Sequence, residues 1–236
     1  MKTKDHIRFS LFAILAALTG IVLPPSGGAA DSGRISAADA SFVSLPRPRQ
    51  TGTVSVEAAL ASRRSIRSFS GEAVGLDELS QLLWSAQGIT SERGLRTAPS
   101  AGALYPLVLY VVAGNVAALP AGIYRYEPAE HRLAIIAAGD ALGALSEAAL
   151  GQSPVRTAPA VIAIAADYRR TTAKYGERGV RYVHMEAGHV AQNVTLQATA
   201  LGLGTVMIGA FSDERVSRLL KGSDLQPLYL IPVGRK

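Results

Sequence analysis

The chain has 236 residues, 48% hydrophobic, 18% charged and 6% aromatic, with mean hydropathy +0.21; this suffices for one folded domain plus an appendage and excludes a disordered chain. Lys and Arg outnumber Asp and Glu 24 to 18, for a net charge of +6. These cations are scattered without a run or interleaved aromatics, so no nucleic-acid partner is expected. Cysteine is absent, which excludes disulfides, thiolate metal sites and a cysteine nucleophile, so redox chemistry needs a bound cofactor.

In chain order, Lys2, Lys4 and Arg8 precede the 15-residue apolar stretch Phe9–Leu23, which Pro24, Pro25 and the small residues Gly28-Ala29-Ala30 follow. That pattern reads as a signal peptide over residues 1–30, with an exported (periplasmic or extracellular) mature protein. The alternative is a short, uncleaved membrane tether. Residues 31–53 are polar and proline-bearing and read as a linker, leaving 54–236 as the folded domain.

Ser55 is a suitable N-cap for a helix running to Arg63, and Leu76, Leu79, Leu83 and Ala86 stripe a second helix over Leu76–Gln87. Leu107–Val112 reads as a buried strand. Gly122–Glu127 and Arg132–Ile136 read as a hairpin around Pro128-Ala129-Glu130. Further on, the pattern predicts a helix at Ala141–Leu150, a strand at Ala160–Ala165 and a long helix at Glu177–Leu201. A short strand at Thr205–Ile208, a helix at Asp213–Leu220 and a strand at Pro227–Val233 complete an α+β chain: one sheet with helices around it.

Gly202-Leu203-Gly204 lacks the third glycine of a dinucleotide fingerprint, and no Walker or nucleophile-elbow sequence is present. His184 and His189 sit five apart, about 140° around a helix, so they do not share a metal ion. No metal site is expected.

Three segments carry chemistry. Arg63, Arg64 and Arg67 surround Ser65, and such forked donors suit a phosphate as well as a solvated helix end. The small residues Ser100, Ala101, Gly102 and Ala103 would let backbone N–H groups approach a flat ligand, or would simply start a helix. Gly204 and Gly209 bracket a strand whose exit, Ile208-Gly209-Ala210, could touch a planar ring.

These segments, with Glu186-Ala187-Gly188-His189-Val190-Ala191-Gln192-Asn193, resemble the nitroreductase-like FMN oxidoreductases, and within them the SagB/ThcOx-type branch that includes azoline oxidases. The resemblance runs from about Leu45 to Lys236. It implies a central, mainly antiparallel sheet flanked by helices, and a homodimer joined through the long helix. It further implies FMN as cofactor, with Arg63, Arg64, Ser65 and Arg235 at its phosphate and Arg67 beside the flavin N1–C2 edge. Ser100, Ala101, Gly102 and Ala103 would line the ring of the partner subunit's flavin, while Ile208, Gly209 and Ala210 would cover the ring. Lys174 and Tyr175 resemble a proton-transferring pair of the azoline-oxidising branch, although a solvated loop before a helix explains them equally. The implied activity is ping-pong electron transfer to a small-molecule or peptide substrate; a non-catalytic flavin-binding protein on the same fold is the alternative.

Overall fold

A computed structural model of the chain describes residues 41–236. The signal-peptide and export expectations lie outside them. Among the described residues no helix is long and apolar enough to cross a membrane.

Seven strands form one sheet: β1 (Phe42–Ser44), β2 (Leu107–Ala113), β3 (Gly122–Glu127), β4 (Arg132–Ala138), β5 (Ala160–Ala166), β6 (Leu203–Thr205) and β7 (Gln226–Arg235). They lie in the order β1-β4-β3-β2-β5-β7-β6, every neighbour pair antiparallel. The interior strand β5 is buried at all seven positions because helices cover both faces. Its Ala160, Ile162, Ile164 and Ala166 meet α2 (Leu76–Gln87) and α6 (Arg178–Ala200). The alternate residues Val161, Ala163 and Ala165 meet α3 (Leu142–Ala148), α4 (Ser153–Thr157) and α7 (Asp213–Leu219). A period of two along the strand thus separates two apolar cores.

The linker assignment needs correction at its carboxyl-terminal end. β1 pairs with β4, Leu45 is buried, and the Ser80 hydroxyl donates to the Pro46 carbonyl at 2.6 Å. Gln81 clasps Arg49 twice, accepting from its N–H and donating to its C=O. Three strand residues beside prolines are too few to show alternation, so composition masked them. A second omission is α5 (Arg169–Tyr175). It has no apolar stripe and is held by tertiary packing: a Cβ on Gly179 of α6 would lie 2.9 Å from the Thr172 backbone, so glycine permits the close approach.

The long helix α6 packs most of its small residues inward. Ala187, Ala191 and Ala198 are buried in the chain's own core. The uncovered face instead carries Arg181, Met185, Gly188 and His189. Predicted strand Thr205–Ile208 is shifted to Leu203–Thr205, and Ile208 makes a separate bridge to Leu230.

Candidate functional site

The arginine segment follows α1 (Val56–Ser62), which Ser55 caps by accepting the Ala58 N–H. It docks on edge strand β6: Ser65 pairs with Thr205, and the Ile66 N–H donates to the Thr205 carbonyl at 2.9 Å. Gly204 makes this possible, since a Cβ there would lie 2.8 Å from Ile66. The arginines then divide. Arg64 folds back to donate to the Ala61 and Arg63 carbonyls, capping α1. Among the described residues, Arg63 and Arg67 make no salt bridge and their side chains no hydrogen bond. Arg235 is not left unpaired. Its Nη2 meets both oxygens of Glu78 at 3.0 Å, with Glu72 at 3.9 Å.

The exit of β6 carries the second segment. Ile208 exchanges backbone hydrogen bonds with Leu230, so its N–H is committed to the sheet. Gly209 and Ala210 are exposed, and their N–H groups have no partner among the described residues. Gln152 steadies this loop by donating to the Ala210 carbonyl at 2.8 Å. The donors left over are thus those of Gly209 and Ala210.

Ser100–Ala103 lies elsewhere, as a single 3-10 turn in which Gly102 and Ala103 have φ 62° and 54°. It meets Lys174 and Tyr175: a Cβ on Gly102 would sit 2.7 Å from the Tyr175 Oη and 3.0 Å from the Lys174 Nζ. Two segments 70 residues apart in sequence therefore converge. Tyr182 packs edge-on against Tyr175, with ring centroids 5.2 Å apart.

Beneath the turn lies a polar group that sequence motifs did not single out for chemistry. Glu186 of α6 is 2% exposed. Burial pushes its carboxyl above the ordinary range, while the Ser100 hydroxyl, Gln87 and the more distant Arg96 oppose that shift. Arg96 donates to the Gln87 Oε1 at 2.7 Å, and its own charge is disfavoured by burial. The only local signal was a glutamate inside an apolar helical stripe.

Two cavities open on the chain. One of ≈ 370 Å³ lies among Trp84, Asn193, Gln197 and the 49–56 segment. The other, ≈ 640 Å³, lies at the start of β2 beside Arg96, Arg125 and Arg170. Neither is lined by Arg63–Arg67, Ser100–Ala103 or Ile208–Ala210.

The nitroreductase family model matches residues 60–235. This chain belongs to the nitroreductase family. It is 49% identical, over 78% of its length and 92% of the relative's, to a Methanocaldococcus jannaschii protein named as a nitroreductase. It is 29% identical to the trifolitoxin operon protein TfxC of Rhizobium leguminosarum bv. trifolii, over 74% of this chain and 54% of that one. A crystal structure from Ralstonia eutropha, also named as a nitroreductase, superposes with TM-score 0.71 at 27% identity, covering 83% of this chain and 89% of the other. Membership makes the protein an oxidoreductase of a flavoprotein family. The residues present suit such a cofactor: guanidiniums at Arg63 and Arg67 that are unpaired among the described residues, for a phosphate, and small residues whose N–H groups have no partner there, for a ring edge.

Proposed function

We propose that the protein is an exported, homodimeric FMN-dependent oxidoreductase of the SagB/ThcOx type, acting on a small molecule or peptide. The observation that carries the cofactor assignment is the arginine segment on β6, with Arg63 and Arg67 without carboxylate partners among the described residues. In this reading Arg63 and Ser65 hold the phosphate, and Arg64 fixes the segment by capping α1. Arg67 places a positive charge at the ring's N1–C2 edge. Gly209 and Ala210 offer N–H donors to its other edge. When bound, FMN supplies reversible two-electron transfer between a reductant and a second substrate. Tyr175 and Lys174 meet over Gly102, where either can hold or pass a proton beside the ring-lining turn.

The dimer follows from spacing along α6. Ser100 faces Glu186 in its amino-terminal half, whereas α1 and β6 lie at its carboxyl end. Glu186 and Ala200 are about 21 Å apart at 1.5 Å per residue. Two copies with antiparallel α6 helices would bring the arginine segment of one beside the Ser100–Ala103 turn of the other. The uncovered face with Met185 and Gly188 is where they would meet. Likeness to a trifolitoxin operon protein supports the SagB/ThcOx branch.

The purified protein tests this reading by its absorption spectrum. A yellow protein whose flavin is reduced and reoxidised by added substrates supports the enzyme. A yellow protein that is never reduced favours the non-catalytic flavin binder. A colourless protein that takes up no FMN sinks both. Mass spectrometry of secreted and membrane fractions tests export: a mature chain beginning near Asp31 supports it, and an intact amino terminus in membranes makes it a tether.

A further inference from the structure

Hydrogen bonds around Glu186 form a circuit that ends on the Ser100–Tyr105 turn. Gln87, fully buried on α2, donates to the Glu186 Oε1 at a long 3.5 Å and accepts from the Arg96 Nη1 at 2.7 Å. The Arg96 guanidinium lies 4.4 Å from the Tyr105 ring centroid, and the Arg96 N–H donates to the Tyr105 hydroxyl at 3.3 Å. The Tyr105 N–H donates to the Ser100 Oγ at 2.9 Å, which closes the turn on itself. Arg170 adds a donor to the Tyr105 carbonyl at 3.2 Å. Held inside this circuit are three left-handed residues, Gly102, Ala103 and Tyr105, two of them unfavourable for a side chain. Such a backbone persists only where its surroundings over-determine it.

We propose that Glu186 is a positioning residue, which through Gln87 and Arg96 holds the 100–105 turn in its left-handed form so that Gly102 and Ala103 present a flat surface to the flavin ring and to Tyr175. The flavin half of this statement rests on the function proposed above. The turn itself does not, and it is read without cofactor. Hydrogen exchange on the full chain compares wild type with Glu186→Met, which removes both acceptors at similar volume, Glu186→Gln, which keeps one, and Ser100→Ala.

Glu186→Met and Ser100→Ala should each speed exchange of the Tyr105 amide about tenfold, the size of one lost hydrogen bond. Glu186→Gln should restore most of the protection, and amides of β2 and β5 should stay as slow as in wild type. FMN affinity, followed by flavin fluorescence, should fall in parallel in the first two variants. Unchanged exchange at Tyr105, or an equal acceleration across β2 and β5, would overturn the assignment, because the second pattern is general destabilisation. If Glu186→Met does not fold, Gln87→Met, which breaks the link from Glu186 to Arg96, decides by the same criterion. Wild type without FMN affinity would sink the flavin reading and leave the exchange comparison to judge Glu186.

Discussion

Arg63 and Arg64 are adjacent in sequence, yet the fold engages them differently. Arg64 satisfies the open carbonyls at the end of α1, and the Arg63 side chain has no partner among the described residues. Arg63→Ala should therefore weaken FMN binding by about 1.5–3 kcal/mol, the value of a charge-assisted hydrogen bond. Arg64→Ala should act mainly on stability; flavin titration and thermal unfolding of both variants check the division. Glu186 gives a second prediction. Its folded-state pKa is raised from 4.5 by burial. Between those two values the native state holds more protons than the unfolded one, so this group's contribution to stability falls as pH rises through that window. Glu186→Gln cannot ionise. The unfolding temperature of the variant minus that of wild type should increase from pH 4.5 upward. A difference independent of pH would show that Glu186 titrates normally.

At the scale of elements, the contact between the arginine segment and β6 depends on one missing methyl group. Gly204 faces Ile66 so closely that alanine must push the segment off the strand. Gly204→Ala should cost about 1–3 kcal/mol of stability, the usual penalty of overpacking, and should weaken FMN binding as well. Melting curves and flavin titration on the same sample test the coupling; loss of stability with full FMN affinity would detach the segment from the site. The turn at Ser100–Ala103 shows the same dependence on shape. Its glycine supplies both a positive φ and the space into which Tyr175 and Lys174 reach.

For the whole molecule the decisive question is whether one copy contains a site. Met185 is 52% exposed on α6, and a Cβ at Gly188 would meet nothing within 4 Å. Gly188→Arg is therefore compatible with the single chain, and it improves helix propensity by up to about 1 kcal/mol. Between two closely packed α6 helices the same side chain would bury a charge. The expected product is a folded monomer with poor FMN affinity, melting below the wild-type dimer because it lacks the stabilisation that a bound partner and cofactor add. Light scattering with flavin fluorescence decides it: a monomer that binds FMN like wild type would sink the shared-site model. Substitutions at Ala191 or Ala198 cannot serve here, since both are buried in the chain's own core.

Local pattern made much of this protein legible in advance. Apolar stripes located α2, α6 and α7, unbroken apolar runs located β2 and β5, and the Arg63–Arg67, Ser100–Ala103 and Gly204–Ala210 segments were visible as clusters of unusual residue types. Such features depend on neighbours within one or two turns, which is the range a periodicity carries. Strand β1 and helix α5 were hidden because each is held by distant partners rather than by its own alternation. Nor could sequence say that Arg235 is paired with Glu78, that Arg64 caps a helix while the Arg63 and Arg67 side chains have no partner among the described residues, or that Glu186 lies buried against Gln87, 99 residues away. Whether a charge stands free or is spent is settled by which groups the fold brings within about 3 Å, and that distance is created only when the sheet and α6 close on each other.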